Sequence, residues 1–141
     1  MQQVKYPSAE IRCAGNLFAI ENFRVCPEEK EQGNPYNRTF SIRVVSESFS
    51  GYAFCEYDMK EFIRFVSEMQ ELFRFKQNKT ELNDICYGSK VVFCIDKTGH
   101  LDISGKIFGH AAKHCLEFRF AADQTCLNGF IQTINRYIKA K

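Results

Sequence analysis

The stretch LEFRFAADQTCLNGFIQTI, residues 116–134, changes its hydrophobic period at one aspartate. Before Asp123, apolar residues alternate with polar ones, as in a strand with one buried face. After Asp123, apolar residues recur at the three- and four-residue intervals of an amphipathic helix. The stretch therefore predicts a strand that passes directly into a helix. Asp123 is the predicted cap, because its carboxylate can accept hydrogen bonds from unpaired N–H groups in the first helical turn.

The first half of the chain contains a second junction of the same kind. Residues 49–57 alternate like a strand, and Asp58 precedes a helical stripe. Asp58 also lies three residues before Glu61, which is the spacing of a capping box. Counted from either aspartate, apolar residues fall at offsets of 4, 7, 8, 11, 14 and 15. These residues are Phe62, Phe65, Val66, Met69, Leu72 and Phe73 after Asp58, and Leu127, Phe130, Ile131, Ile134, Tyr137 and Ile138 after Asp123.

Upstream of each aspartate the pattern predicts about four short strands, and Lys97-Thr98-Gly99 is the clearest hairpin turn. We therefore predict an α+β fold of two antiparallel sheet units, each of about four strands followed by one helix (ββββα twice). A length of 141 residues suits a single domain over residues 1–141. Within it we predict an internal repeat of residues 9–75 and 80–140. Fourteen phenylalanines and no tryptophan predict a phenylalanine-rich core.

Cysteine usage and the N-terminus indicate the compartment. The chain has seven cysteines, an odd number, and none of them forms a CxxC pair. The first residues lack the apolar segment of a signal peptide, and no run approaches the roughly 20 apolar residues that span a bilayer. We expect a cytoplasmic protein that does not enter a membrane, with reduced and buried cysteines. The sequence leaves its oligomeric state open.

Candidate catalytic and metal-binding residues do not converge. His110, His114 and Cys115 are the nearest approach to a metal cluster, but they lie in a predicted loop between strands. The chain has no HExxH and no phosphate-binding glycine loop. A nucleophilic cysteine would need a histidine partner, and no local signature marks one. We expect no enzyme activity, no metal and no cofactor.

Charge divides the chain into an acidic and a basic half. Residues 1–74 carry 9 Lys and Arg against 11 Asp and Glu, whereas residues 75–141 carry 10 against 6. The polar segment PEEKEQGNPYN, residues 27–37, lies in the acidic half. Its Glu28, Glu29 and Glu31 could attract a basic protein partner, or could simply form a solvated loop.

Three stretches carry a family resemblance. TGHLDISGKI, followed by KHCLEFRFAADQTCLNGFIQTI, resembles the WapI-type immunity proteins of bacterial polymorphic toxin systems. The shared pattern is a hairpin G-H-ϕ-x-ϕ-x-G, where ϕ is apolar, and then L-E-F-x-F-x-x-D-Q-T-x-L before a C-terminal helix. SFSGYAFCEYDMKEFIRFVSEM resembles the family's earlier strand and helix, so the resemblance covers most of residues 40–140. The matching residues of the second half are Gly99, His100, Leu101, Ile103, Gly105, Leu116, Glu117, Phe118, Phe120, Asp123, Gln124, Thr125 and Leu127.

The resemblance implies a function in binding rather than in catalysis. Such proteins are similar in role to contact-dependent growth inhibition immunity proteins, which stay in the producer's cytoplasm and bind one cognate toxin domain, often a nuclease. We therefore expect a stoichiometric inhibitor, with partner contacts at Glu28, Glu29, Glu31 and Tyr36. The net charge of +2 departs from what an inhibitor of a basic nuclease would carry.

A Whirly-like topology is the basis of an alternative prediction. A repeated ββββα order is also typical of that architecture, which would make the chain a single-stranded nucleic-acid-binding protein. Tyr52 and Phe54 would then stack on bases. The scattered lysines of the basic half and the expected packing of both rings under a helix favour the immunity interpretation.

Overall fold

The computed structural model describes residues 5–25 and 37–139. Each half of the chain forms four strands and then one helix. The first half comprises β1 (Ala9–Cys13), β2 (Asn16–Val25), β3 (Asn37–Ser46), β4 (Phe49–Asp58) and α1 (Met59–Phe73). The second comprises β5 (Lys79–Asn83), β6 (Lys90–Ile95), β7 (His100–Phe108), β8 (Cys115–Asp123) and α2 (Leu127–Tyr137), with short 3-10 turns at His110–Ala112 and Gln124–Cys126.

The strands form two separate antiparallel sheets. Their orders are β1-β2-β3-β4 and β5-β6-β7-β8, so every strand pairs with its neighbour in the sequence. This arrangement confirms the predicted α+β fold with two sheet units, each followed by a helix. No helix in the described part of the chain is long and apolar enough to cross a membrane.

Each helix begins after an aspartate, but the two junctions differ. Asp58 caps α1, and its Oδ1 accepts a hydrogen bond from the backbone N–H of Lys60 at 2.7 Å. Glu61 does not complete a capping box, since its carboxylate pairs with Arg64 at 3.0 Å. Asp123 caps the 3-10 turn Gln124–Cys126 and accepts from the N–H of Thr125 at 2.9 Å. Helix α2 therefore starts one short turn later than the sequence pattern suggested.

Most apolar residues at the offsets shared by the two junctions are buried in the structure. The residues at offsets 4, 7, 11 and 14 are buried in both helices. At offset 8 the helices differ, because Val66 is buried and Ile131 is only partly buried. Four matching buried positions explain why both helices could be recognised from the same spacing.

The two halves share one core. Helix α1 packs on β5 of the second half, and α2 packs on β1 of the first half. The ring of Phe93 lies 5.3 Å from that of Phe18 and 5.6 Å from that of Phe65, centroid to centroid. Phe18 also contacts Phe130 of α2 at 5.9 Å. One buried cluster thus joins both sheets and both helices, and phenylalanine supplies much of it.

The cysteines differ in exposure, in part against expectation. Among the described residues, Cys55 is buried, and Cys13, Cys94 and Cys126 are partly buried. The two remaining described cysteines, Cys86 and Cys115, are exposed, so the expectation that the cysteines are buried is wrong for them. Cys86 lies in the connection between β5 and β6, and Cys115 is the first residue of β8.

Candidate protein-docking surface

The outer face of the first sheet carries large exposed aromatic side chains. Along β4, Ala53 and Cys55 point into the core, so Tyr52 and Phe54 point outward. Each of these two rings is 45% exposed. The expectation that they pack under a helix is wrong, because both helices pack against the shared core on the opposite face of this sheet.

Tyr52 is held by polar contacts that cross two neighbouring strands. The Arg43 guanidinium of β3 lies 4.7 Å from the centroid of the Tyr52 ring. Arg43 Nε in turn donates to both carboxylate oxygens of Glu21 on β2, at 3.1 and 3.2 Å. The Tyr52 hydroxyl accepts a hydrogen bond from Asn22 Nδ2 at 2.8 Å. We call Tyr52, Phe54, Arg43, Glu21 and Asn22 the outer aromatic patch.

A bulge in β2 makes one of these contacts. The pairing of β2 with β3 shifts between Glu21 and Arg24, and Asn22 has a left-handed φ of 56°. In a regular strand Asn22 would face the core, because its neighbour Glu21 faces outward. The bulge places the Asn22 amide beside the outward-facing Tyr52, and Phe23 takes the buried position. Asparagine tolerates this conformation better than most residues.

The small side chains beneath the outer aromatic patch are shielded from water by the longer side chains of the patch. Ala19 pairs with Arg43 on the outer face but has no exposed surface, and Ser41, which pairs with Phe54, is also buried. The longer side chains of the patch therefore exclude water from the sheet while remaining accessible themselves. Such an arrangement lowers the cost of binding, because the side chains are ordered before a partner arrives.

The outer face of the second sheet has a different chemistry. Arg119 of β8 pairs with Asp102 of β7 at 3.0 Å, and Lys90 pairs with Glu81 at 3.3 Å. Among the residues that the structure describes, no large hydrophobic side chain on this face is exposed. This face is typical of a solvated sheet surface.

The residues predicted from the sequence to contact a partner cannot be placed on either face. Glu28, Glu29, Glu31 and Tyr36 lie outside the described residues. The chain on either side of them is fixed, because Val25 and Arg38 pair across β2 and β3. Asp58 and Asp123 occupy cap positions, as described above.

His110 and His114 lie in the connection between β7 and β8. Tyr87 packs edge-on against His110 with ring centroids 6.4 Å apart, and His114 follows in the same connection. Within residues 5–25 and 37–139, His, Cys, Asp and Glu side chains form no group of three that could hold a metal ion.

A structural role of Gln124 was not recognised from the sequence. Its Nε2 donates to the carbonyl of Phe73 at the end of α1, at 2.5 Å. Its backbone N–H donates to the carbonyl of Gly99 at 2.9 Å, and Gly99 has a φ of +90° that favours glycine. Three segments therefore meet at Gln124: the end of α1, the β6–β7 turn and the start of α2. The periodicity showed where the helices begin. It could not show that a side chain next to α2 would hydrogen-bond the last carbonyl of α1.

The β6–β7 turn is closed by Asp96. Its carboxylate accepts hydrogen bonds from Thr98 and His100, at 2.7 Å from Thr98 Oγ1 and 3.0 Å from the His100 N–H. The hydroxyl of Thr98 first of all, and then the backbone N–H of His100, lower the pKa of Asp96 to about 2. These are contacts within a tight turn, so they stabilise the hairpin.

No protein-family model, curated protein or solved structure significantly matches the chain. The geometry of its surfaces is therefore the main guide to its function.

Proposed function

We propose that this chain is an immunity protein that binds and neutralises a cognate toxin domain in the cytoplasm of the producing cell. The observation that carries its role in binding is the outer aromatic patch. Tyrosine and arginine are enriched among the residues that dominate protein–protein binding energies. Here Tyr52 and Arg43 are exposed and already in contact with each other. The resemblance of the second half to WapI-type immunity proteins supplies the class of partner.

The residues that carry the resemblance serve the scaffold. Phe118, Phe120 and Leu127 are buried, and Gly99 and Gln124 join the three segments described above. A family that keeps these residues can keep its fold while its outer surface varies. This division supports a specific binding protein, because specificity can change with the partner without loss of stability.

The proposed mechanism is stoichiometric occlusion. The patch and the segment around Glu28, Glu29, Glu31 and Tyr36 would bind the toxin domain, and no bond would be made or broken. Loss of one central anchor side chain costs about 2 kcal/mol in a typical interface, which is roughly 30-fold in Kd. Tyr52 is the anchor that we expect to dominate within the described part of the chain.

Co-expression tests the proposal directly. The chain is produced together with the toxin domain encoded next to it, and cell survival and a one-to-one complex are scored. We expect rescue by the wild-type chain and loss of rescue for the Tyr52→Ala, Phe54→Ala double variant. Survival without any complex, or no toxicity from the neighbouring domain, would contradict the proposal.

A matched pair of arginines controls for surface charge. Arg43 and Arg119 both lie on an outer face, and each pairs with a carboxylate of a neighbouring strand. Arg43→Ala should weaken the complex at least tenfold, whereas Arg119→Ala should leave it unchanged. Charge reversal at Glu28, Glu29 and Glu31 tests the acidic segment separately. If only these reversals abolish binding, the segment and not the patch is the contact surface.

The same patch favours a second candidate function, single-stranded nucleic-acid binding. Exposed rings on a sheet face beside an arginine can stack on bases, at about 1–3 kcal/mol per base. Titration of an oligothymidine at several salt concentrations tests this candidate. Binding that weakens steeply with salt and is lost in the Tyr52→Ala, Phe54→Ala variant would support it. Absence of binding at low salt would remove it.

A further inference from the structure

Two cysteines from opposite halves of the sequence meet at the edge of the core. Cys13 ends β1, and Cys126 ends the 3-10 turn that precedes α2. Strand β1 contacts this turn, and the Cys13 thiol is within hydrogen-bonding reach of the Cys126 thiol. Both side chains pack against the shared core while remaining partly exposed.

Small molecules can reach Cys13. An open depression of about 310 Å³ lies beside it, lined by the end of β1, the β1–β2 turn and the start of β2, including Arg12, Gly15 and Asn16. Cys55, by contrast, has no exposed surface and lies within the core. An oxidant in solution would therefore reach Cys13 long before Cys55.

The surroundings of Cys13 favour its protonated thiol over the thiolate. Burial raises the pKa of the Cys13 thiol, and the neighbouring Cys126 and Asp123 raise it further. The Cys126 thiol donates to Asp123 Oδ1 at 3.8 Å. Since the thiolate is the reactive form, oxidation is slow at pH 7 and becomes faster as the pH rises.

We propose that Cys13 and Cys126 are a redox modification site that forms a reversible disulfide between β1 and the start of α2. With hydrogen peroxide, one thiolate attacks a peroxide oxygen and becomes a sulfenic acid, while the other oxygen leaves as water after protonation. The second thiol then displaces the sulfenic oxygen as water and forms the S–S bond. Two thiols and one peroxide thus give one disulfide and two waters. A dithiol reverses the reaction by exchange.

The bond would join the two halves of the fold covalently. It would close a loop that contains most of the chain, and a loop of that length strongly restricts the unfolded state. We expect the oxidised protein to melt about 5–15 °C higher than the reduced protein. The site does not depend on the proposed partner.

Peptide mapping of the unmodified chain tests the pairing. The reduced native protein is treated with hydrogen peroxide, its remaining thiols are blocked, and it is digested with trypsin without reductant. Cleavage after Arg12 and Arg24, and after Arg119 and Arg136, leaves each cysteine alone in its peptide. We expect peptide 13–24 linked to peptide 120–136. A linkage between other cysteines, or only singly oxidised thiols, would overturn the proposal.

Substitutions provide the second readout. Cys13→Ser and Cys126→Ser should each abolish the rise in melting temperature on oxidation, whereas Cys86→Ser, at an exposed thiol, should keep it. The rate of linkage should rise roughly tenfold per pH unit while the attacking thiol remains mostly protonated. A rate that does not change between pH 7 and pH 8 would contradict attack by a Cys13 thiol whose pKa is raised.

Discussion

The two sheets have the same strand order, yet their outer faces differ. Their inner faces both contribute to one shared core. Each sheet is followed by an aspartate that caps the next helical segment, which is α1 after Asp58 and the 3-10 turn before α2 after Asp123. On the outside, the first sheet presents Tyr52, Phe54 and Arg43, whereas the second presents ion pairs such as Arg119 with Asp102. The fold is thus set by inner faces and junctions, and the outer face of one sheet is free to become a binding surface.

The largest loss of stability should come from adding a side chain at a glycine, and the loss should differ between the two sheets. A Cβ at Gly105 would collide with the backbone carbonyl oxygen of Lys90 inside the second sheet. A Cβ at Gly51 would lie 2.7 Å from Leu116 Cδ2 and 3.0 Å from Ile107 Cδ1, where the first sheet approaches the second. Side chains can move more cheaply than a paired backbone. Gly105→Ala should therefore lower the free energy of unfolding by about 3 kcal/mol, and Gly51→Ala by about 1–2 kcal/mol.

Urea denaturation measures both values, and Gly129→Ala is the control. A Cβ at Gly129 in α2 meets nothing within 4 Å, so this substitution should stabilise the protein by about 0.5–1 kcal/mol. Equal losses at Gly51 and Gly105 would mean that the space between the sheets is as rigid as the ladder within one sheet.

The two helix junctions provide the next comparison. Asp58→Ala removes the cap of α1 and should cost about 1 kcal/mol. The Asp123 carboxylate has more partners, namely the N–H and hydroxyl of Thr125 and the thiol of Cys126. We therefore expect Asp123→Ala to lower the melting temperature more than Asp58→Ala does. Asparagine at either position should restore most of the loss, because its side chain also caps helices. A larger loss at Asp58 would contradict this ranking.

A tight turn closed by Asp96 joins the second and third strands of the second sheet, β6 and β7. Hydrogen bonds lower the pKa of that aspartate from 3.8 to about 2 in the folded state. A group with a lowered folded pKa stabilises the fold above its unfolded pKa and loses this effect as the pH falls. The melting temperature of the wild type should exceed that of Asp96→Asn by a constant amount above pH 5. This difference should shrink between pH 4 and pH 2, and a difference that persists at pH 2 would contradict the assignment.

The inner faces and junctions could be predicted from the sequence, because periodicity records burial. The offsets shared by Asp58 and Asp123 located both helices, and the alternating runs located the strands on either side of Lys97-Thr98-Gly99. Periodicity shows which face of a helix or strand is buried, but not which other element packs against that face. Each helix packs on the first strand of the other half, and nothing in the pattern of either half indicates this exchange.

The outer aromatic patch was harder to predict for a related reason. Alternation places Tyr52 and Phe54 on the same face as each other, but an aromatic face is as consistent with burial as with binding. Their exposure depends on where the helices pack. The bulge that brings Asn22 to Tyr52 depends on pairing between distant strands, so the local sequence around Asn22 could not reveal it.

The smallest expected effect is a difference in stability between arginine substitutions on the two outer faces, measured without a partner. Arg43→Ala removes both the contact with the Tyr52 ring and the pair with Glu21, so it should lower the free energy of unfolding by about 0.5–1 kcal/mol. Arg119→Ala removes only an exposed ion pair and should leave the melting temperature unchanged. Salt sharpens the test, because it screens exposed charge pairs but not the packing of a guanidinium on a ring. The loss at Arg43 should therefore remain in 0.5 M NaCl. If high salt abolishes it, Arg43 is only a surface charge like Arg119, and the patch is not held in place before a partner binds.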